Sequence, residues 1–232
     1  MFSAEGPTLR ELAVQALSSV ERGYDLLAPK FDATPFRTSD VVVAATEAAL
    51  RPLGPFTDGL DLCCGTGAGL ALLRGLCAGR SVGLDFSAGM LGVARSTEPG
   101  ADLVRADARA LPFADGSFDL AVSFGAFGHF LPAERPALWS GLHAALRPGG
   151  CFAFPVLGAP GPSSPWYWAL LGFDAVMRAR NALRKPEFVM YYRTFRLTRV
   201  LPELEAAGFQ VSLLPLPQLG PAGRLVLARR PN

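Results

Sequence analysis

The chain predicts an α/β fold: a mostly parallel sheet of seven strands with helices on both faces and an antiparallel hairpin at one edge. Three observations carry this reading. From about residue 58 to residue 157, short apolar runs alternate with segments whose apolar residues recur at helical spacing. Runs such as CFAFPVL, residues 151–157, show no polar alternation, as expected of strands covered on both sides. The last two runs, 209–215 and 223–229, are separated only by a Pro/Gly-containing connection, which joins them as a hairpin.

The elements follow in order. TLRELAVQALSSVERGYDLL, residues 8–27, sets Leu9, Leu12, Leu17 and Val20 on one helical face and opens with a capping box from Thr8 to Glu11. A second helix is expected over about 39–51, stopped by Pro52 and Gly54. Strands are then predicted at 58–63, 81–85, 102–106 and 118–124, with helices at 68–77, 88–96 and 133–146. The last of these helices turns Leu138, Leu142 and Leu146 inward and ends at RPGG. GAPGPSSP, residues 158–165, leads into an aromatic-rich helical insert running to about 195, and LTRVLPELEAAGF forms a final helix stopped by Gly208. This divides the chain into an N-terminal helical cap, 1–54, an α/β core, 55–158 with 196–232, and a helical lid insert, 159–195.

Composition bounds the function. With 232 residues, half of them hydrophobic and 18% charged, the chain can bury one sizeable core and is not a disordered segment. The 22 basic and 20 acidic residues form no run, which argues against nucleic acid as partner. The N-terminal residues lack the pattern of a secretory signal, and PWYWALLGF is too short to span a bilayer. A cytoplasmic protein with no stable membrane insertion, monomeric or homodimeric, is the expectation. Cys63, Cys64, Cys77 and Cys151 have neither zinc-site spacing nor disulfide-scaffold density, so reduced thiols and no metal are expected.

The chemistry concentrates in LDLCCGTGAGL, residues 60–70, where the first strand turns into a helix. In open α/β sheets this turn borders the ligand crevice, and its glycines let backbone approach a ligand closely. Counting from Gly65, the third glycine of a dinucleotide fingerprint is replaced by Leu70, and no Lys lies between Lys30 and Lys185 to make a phosphate-binding loop. Asp85, about twenty residues on, ends the second strand, where a carboxylate can accept from both hydroxyls of a ribose. Asp107 ends the third, within reach of an exocyclic adenine amine. Acids at three successive strand ends, Asp61 included, with no base in the turn, suit a cationic, phosphate-free nucleoside. S-adenosylmethionine is one.

LDLCCGTG, VGLDFSAGML, ADARALPFADGSFDLAVS and LRPGGCFAF together resemble the ordered motifs of the class I S-adenosylmethionine-dependent methyltransferases, most of all the ubiquinone and menaquinone biosynthesis type and its small-molecule relatives. The resemblance covers residues 55–155 closely and 208–229 loosely. It implies a Rossmann-like sheet, with Asp61, Gly65 and Gly67 around the methionine portion of the cofactor and Cys63 where the family often has Gly. It further implies Asp85 on the ribose, Asp107 and Ala108 framing the adenine, Phe86 and Met90 packed beside it, and Ser123 at the floor near the sulfonium. YDLLAPKFD, residues 24–32, resembles the family's cap segment, closing over the cofactor with Tyr24 or Phe31.

His129, just past the fourth strand, is a candidate general base or a packing residue among phenylalanines, and Tyr191 is a second catalytic candidate. Trp166, Tyr167, Trp168, Phe188, Tyr192 and Phe195 line an acceptor pocket or form the lid's own core. After the fourth strand, SFGAFGHF lacks the Asn/Asp-Pro-Pro-aromatic signature of enzymes that methylate nucleobase amines. The leading expectation is methyl transfer to a small, partly apolar or aromatic metabolite, from quinone or secondary metabolism. A non-catalytic cofactor-binding or interaction protein of the same fold is the alternative, and an NAD-dependent oxidoreductase a remote one.

Overall fold

The computed structural model of the chain describes residues 6–158, 160–191 and 195–232. Its seven strands are β1 (Gly59–Leu62), β2 (Ser81–Asp85), β3 (Asp102–Arg105), β4 (Phe118–Val122), β5 (Leu146–Val156), β6 (Gln210–Pro215) and β7 (Arg224–Arg229). They form one sheet in the order β3-β2-β1-β4-β5-β7-β6. The first five are parallel, and β7 runs antiparallel to both β5 and β6. The strand order reverses between β1 and β4, which opens a crevice at their carboxyl ends.

Helices α3 (Asp40–Leu50), α4 (Ala68–Leu76) and α5 (Ala88–Thr97) contribute Ala45, Leu50, Leu70, Leu73 and Leu91 to one face, against Leu120, Val122, Cys151 and Leu225 of the sheet. On the other face α6 (Arg135–Ala145) and α8 (Leu197–Ala206) pack Leu138, Trp139, Leu142, Val200 and Leu204 against Leu60, Leu62, Phe152 and Phe154. Strand side chains alternate between faces, so Asp61, between Leu60 and Leu62, points to the α4 side. At the lower end of the sheet Asp119 accepts from the amides of Thr57 and Asp58 at 2.9 Å and pairs with Arg147.

Two readings of the helices change. The first helix is two, α1 (Leu9–Leu17) and α2 (Val20–Leu27), because Ser18 turns extended and Ser19 caps a new helix by accepting from the Arg22 amide at 3.2 Å. The Thr8–Glu11 capping box forms as read. Among the described residues from 160 to 195 the chain is helical only over α7 (Pro165–Leu183), after which residues 184–191 fold back on it without helical structure. Asn181 organises that return: its Nδ2 donates to the Phe188 carbonyl at 3.0 Å and the Tyr191 hydroxyl at 2.8 Å, and its Oδ1 accepts from the Phe188 amide at 2.9 Å. Met177, Phe188 and Tyr191 form a small core of their own, with Val20 of α2 and Leu131 against it. Tyr192 lies outside the described residues.

Candidate functional site

A cavity of about 2140 Å³ opens where the strand order reverses. Tyr24, Asp61, Cys63, Gly65, Gly67, Asp85, Phe86, Met90, Asp107, Ala108 and His129 all line it. Its floor is the turn between β1 and α4. Cys63, Gly65 and Gly67 have φ of 57°, 52° and 102°, the left-handed region that glycine enters freely and a cysteine does not. The turn is held from beneath, as the Cys64 amide donates to the Leu84 carbonyl at 2.9 Å and the Gly65 amide to Asp85 Oδ2 at 2.9 Å. Nothing stands within 4 Å of where a Gly65 Cβ would be, so the space above the turn is open.

Asp61 is 1% exposed, and neither carboxylate oxygen completes a hydrogen bond of ordinary geometry. Burial, reinforced by the negative charge of Asp85, holds its pKa well above the usual carboxylate range, while the nearby amides of Gly69 and Leu70 at the start of α4 pull the other way. The sequence reading passed over Gly69, which makes this approach possible: a Cβ there would lie 2.5 Å from both Asp61 oxygens. The alternate glycines at 65, 67 and 69 were the available signal. An orphaned buried carboxylate lining a cavity fits a cationic group, and the amino-acid end of S-adenosylmethionine carries an ammonium.

Asp85 is buried, with Oδ1 accepting from the Ser87 amide and Oδ2 from the Gly65 amide, both at 2.9 Å. Burial raises its pKa, and the two amides oppose the rise. Each oxygen keeps acceptor capacity for a diol. Asp107 is placed differently from the expectation. Its carboxylate is gripped by the Arg109 guanidinium at 2.6–2.9 Å, and Arg109 reaches on to Glu134 at 2.5 Å. The guanidinium holds the Asp107 pKa down, so any contact with an adenine amine is shared with Arg109. Met90 and Ala108 are buried and Phe86 half-buried, an apolar rim between these two acids.

Two predicted residues are not brought to the cavity. Ser123 is fully buried, and its hydroxyl donates to the Leu62 carbonyl at 2.7 Å, tying β4 to β1 beneath the floor. Tyr191 is packed into the lid core with the Arg178 guanidinium 4.5 Å over its ring, so its hydroxyl serves the lid through Asn181.

His129 ends a short 3₁₀ turn, Ala126–His129, after β4. Its Nδ1 lies 2.6 Å from the Val189 carbonyl, which only accepts, so Nδ1 carries the proton. Nε2 therefore accepts from the Tyr24 hydroxyl at 2.8 Å. Burial lowers the His129 pKa and keeps the ring neutral. This chain of bonds joins α2, the β4–α6 loop and the segment that follows α7. The N-terminal helices are joined to the sheet side at two further points: Asp25 Oδ1 accepts from the Ser87 hydroxyl at 2.6 Å and the Gly89 amide at 2.8 Å, and Asp32 accepts from Thr66 of the glycine turn at 2.8 Å. These fasteners were not read from the sequence, because nothing local marks an Asp in α2 as the partner of a helix start sixty residues away. His143 lies outside the cavity, edge-on to Phe209.

The chain matches the model of the methyltransferase domain family over residues 60–150. It is 41% identical over 110 residues to an uncharacterized methyltransferase of Synechocystis, covering 47% of this chain and 50% of that one. It is 39% identical over 118 residues to a demethylmenaquinone methyltransferase of Renibacterium salmoninarum, covering 44% of each. The chain thus spans about half the length of these relatives. Among solved structures, the DhpI–SAH complex superposes with a TM-score of 0.67 at 21% identity, covering 97% of this chain and 99% of that one, which shows the shared fold.

Proposed function

We propose that this chain, whose residues 60–150 match the methyltransferase domain model, transfers the methyl group of S-adenosylmethionine to a small, partly apolar or aromatic metabolite. The observation that carries the proposal is a single cavity with two unlike ends. One end is the glycine turn with the unpartnered Asp61 and the buried Asp85. The other is walled by Phe124, Phe127, Phe130, Phe195, Val156 and Met190. Its volume of about 2140 Å³ is roughly twice the ~1000 Å³ upper range of single-ligand pockets, which leaves room for cofactor and acceptor together. The demethylmenaquinone methyltransferase relative, whose name points to an aromatic, apolar acceptor, supports the same class.

When bound, S-adenosylmethionine supplies a methyl group on a positively charged sulfur. In this reading Asp61 takes the ammonium, the Gly65 and Gly67 backbone closes on the amino-acid portion, Asp85 accepts from the ribose, and Phe86, Met90 and Ala108 flank the adenine. The aromatic wall orients the acceptor and excludes water, which is most of what an in-line displacement requires. A hydroxyl or acidic carbon must also lose a proton. The neutral His129 Nε2, reached through the Tyr24 hydroxyl, is the acceptor of protons that the geometry offers. Residues 1–54 then act as a cap and 159–195 as a lid, with residues 55–158 and 196–232 as the core between them.

Calorimetric titration with S-adenosylmethionine and separately with NADH, on the wild type and Asp85→Ala, tests the cofactor half. Micromolar binding of the sulfonium nucleoside alone, much weakened in the variant, is expected. Transfer of labelled methyl to a panel of naphthoquinols and phenols tests the acceptor half, and cofactor binding without turnover on any of them favours a non-catalytic protein.

A further inference from the structure

Seven of the fourteen large apolar side chains exposed among the described residues lie between Leu157 and Leu183. Their arrangement on α7 is regular. Asp174, Met177 and Asn181 face inward and are buried, while Trp168, Gly172, Val176, Ala179 and Leu183 recur at helical spacing on the opposite side. Trp168, Val176 and Leu183 are 60%, 66% and 85% exposed. The charges on this helix are not mixed. Its one acid, Asp174, is buried, whereas Arg178 is exposed over the Tyr191 ring, and Arg184 and Lys185 follow the helix exposed to solvent, Lys185 in an ion pair with Glu187. The same helix reaches the cavity at its other end, where Trp166, Tyr167 and Leu170 line the mouth and Trp166 is 72% exposed.

From this we infer that the outer face of α7 docks on an anionic lipid surface and sets the cavity mouth against the bilayer. The inference rests on the apolar-acceptor reading above, which gives a reason for the mouth to face lipid. A helix lying in the bilayer interface is served by an apolar stripe, aromatic anchors and nearby basic residues, and α7 presents the stripe, the tryptophans at its start and Arg184 and Lys185 just past its end. Its cations select an anionic surface over a neutral one. No helix among the described residues is long and apolar enough to cross a membrane.

Vesicle flotation tests it. The wild type should float with vesicles of phosphatidylcholine and phosphatidylglycerol in equal parts and stay behind with phosphatidylcholine alone. Trp168→Ser, Val176→Ser and Leu183→Ser combined should cut the bound fraction at least about tenfold. Arg184→Glu with Lys185→Glu should do the same, most strongly at low salt. None of these side chains lines the cavity, so S-adenosylmethionine titration of each variant should match the wild type and shows that it is folded. Docking is overturned if the wild type ignores anionic vesicles, if the variants float as well as it does, or if sedimentation shows a dimer that the triple variant dissolves, since a second copy would then cover the face. Flotation with no cofactor binding would instead sink the methyltransferase reading.

Discussion

Replacing Asp61 by Asn should move stability and binding in opposite directions. Its carboxylate is buried with no completed hydrogen bond. An unsatisfied buried polar group costs about 1–3 kcal/mol, more when charged. Removing the charge should therefore raise the melting temperature by roughly 2–10 °C for a domain of this size. The gain depends on pH. Because the folded-state pKa lies above the ordinary value of 3.8, the charge destabilises the native state only above that value, increasingly as pH climbs toward the folded pKa. The advantage of Asn should accordingly vanish near pH 4 and grow as pH rises above it. An ammonium about 4 Å from a carboxylate gains about 4 kcal/mol at an effective dielectric constant near 20. The amide oxygen of Asn retains up to half of that. S-adenosylmethionine affinity should fall by about 2–4 kcal/mol, roughly 30- to 1000-fold. Scanning calorimetry from pH 4 to 8 and titration calorimetry at pH 7 measure both. A less stable variant with unchanged cofactor affinity would refute the assignment of Asp61 as the cation site.

Gly69→Ala drives a methyl group to 2.5 Å from the Asp61 oxygens; it should cost about 1–3 kcal/mol of stability, read by urea denaturation, and weaken the cofactor as Asp61→Asn does. Ser123→Ala should cost about 1–2 kcal/mol by freeing the Leu62 carbonyl, yet leave cofactor titration nearly unchanged, because the hydroxyl does not line the cavity. The depressed pKa of His129 means that the unfolded chain takes up its proton first, so stability should decline as pH falls below about 6.5 toward the folded value. With only two histidines in the chain, imidazole NMR resolves that titration once His143→Asn identifies the other signal. Tyr24→Phe should move the His129 midpoint upward, since the hydroxyl donates to the neutral ring; a midpoint that stays put would disprove that bond in solution.

Much of the core was legible because its strands are buried on both faces. An apolar run such as LAV at 120–122 has few other places to go, and the strands fell close to their predicted ends except β5, which opens at Leu146 and takes in the RPGG expected to separate it from the helix. The glycine turn was legible for a different reason, since positive φ at 65 and 67 is a demand on residue type. The N-terminal helix pair was not: the apolar spacing continues across Ser18 and Ser19, and the break comes from Ser19 capping α2. Tyr191 and Ser123 carry the right chemistry at plausible positions, yet each hydroxyl is engaged elsewhere, by Asn181 and by the Leu62 carbonyl. Arg109, two residues past Asp107, was visible in the sequence, but its grip on that carboxylate is a matter of side-chain direction.

The sequence by itself determined the alternation of strands and helices, the turn that holds the glycines and the carboxylates at the strand ends, because these follow from periodicity and from backbone angles that few residues adopt. The tertiary structure decided which of those groups is left without a partner. Asp61 on β1 and Asp107 just after β3 present the same carboxylate at the same edge of the sheet, yet one is buried under Gly69 with no completed hydrogen bond and the other is half-exposed in the grip of Arg109. Burial and pairing set the charge a carboxylate carries and what it can bind, and both are properties of the surroundings assembled from distant parts of the chain.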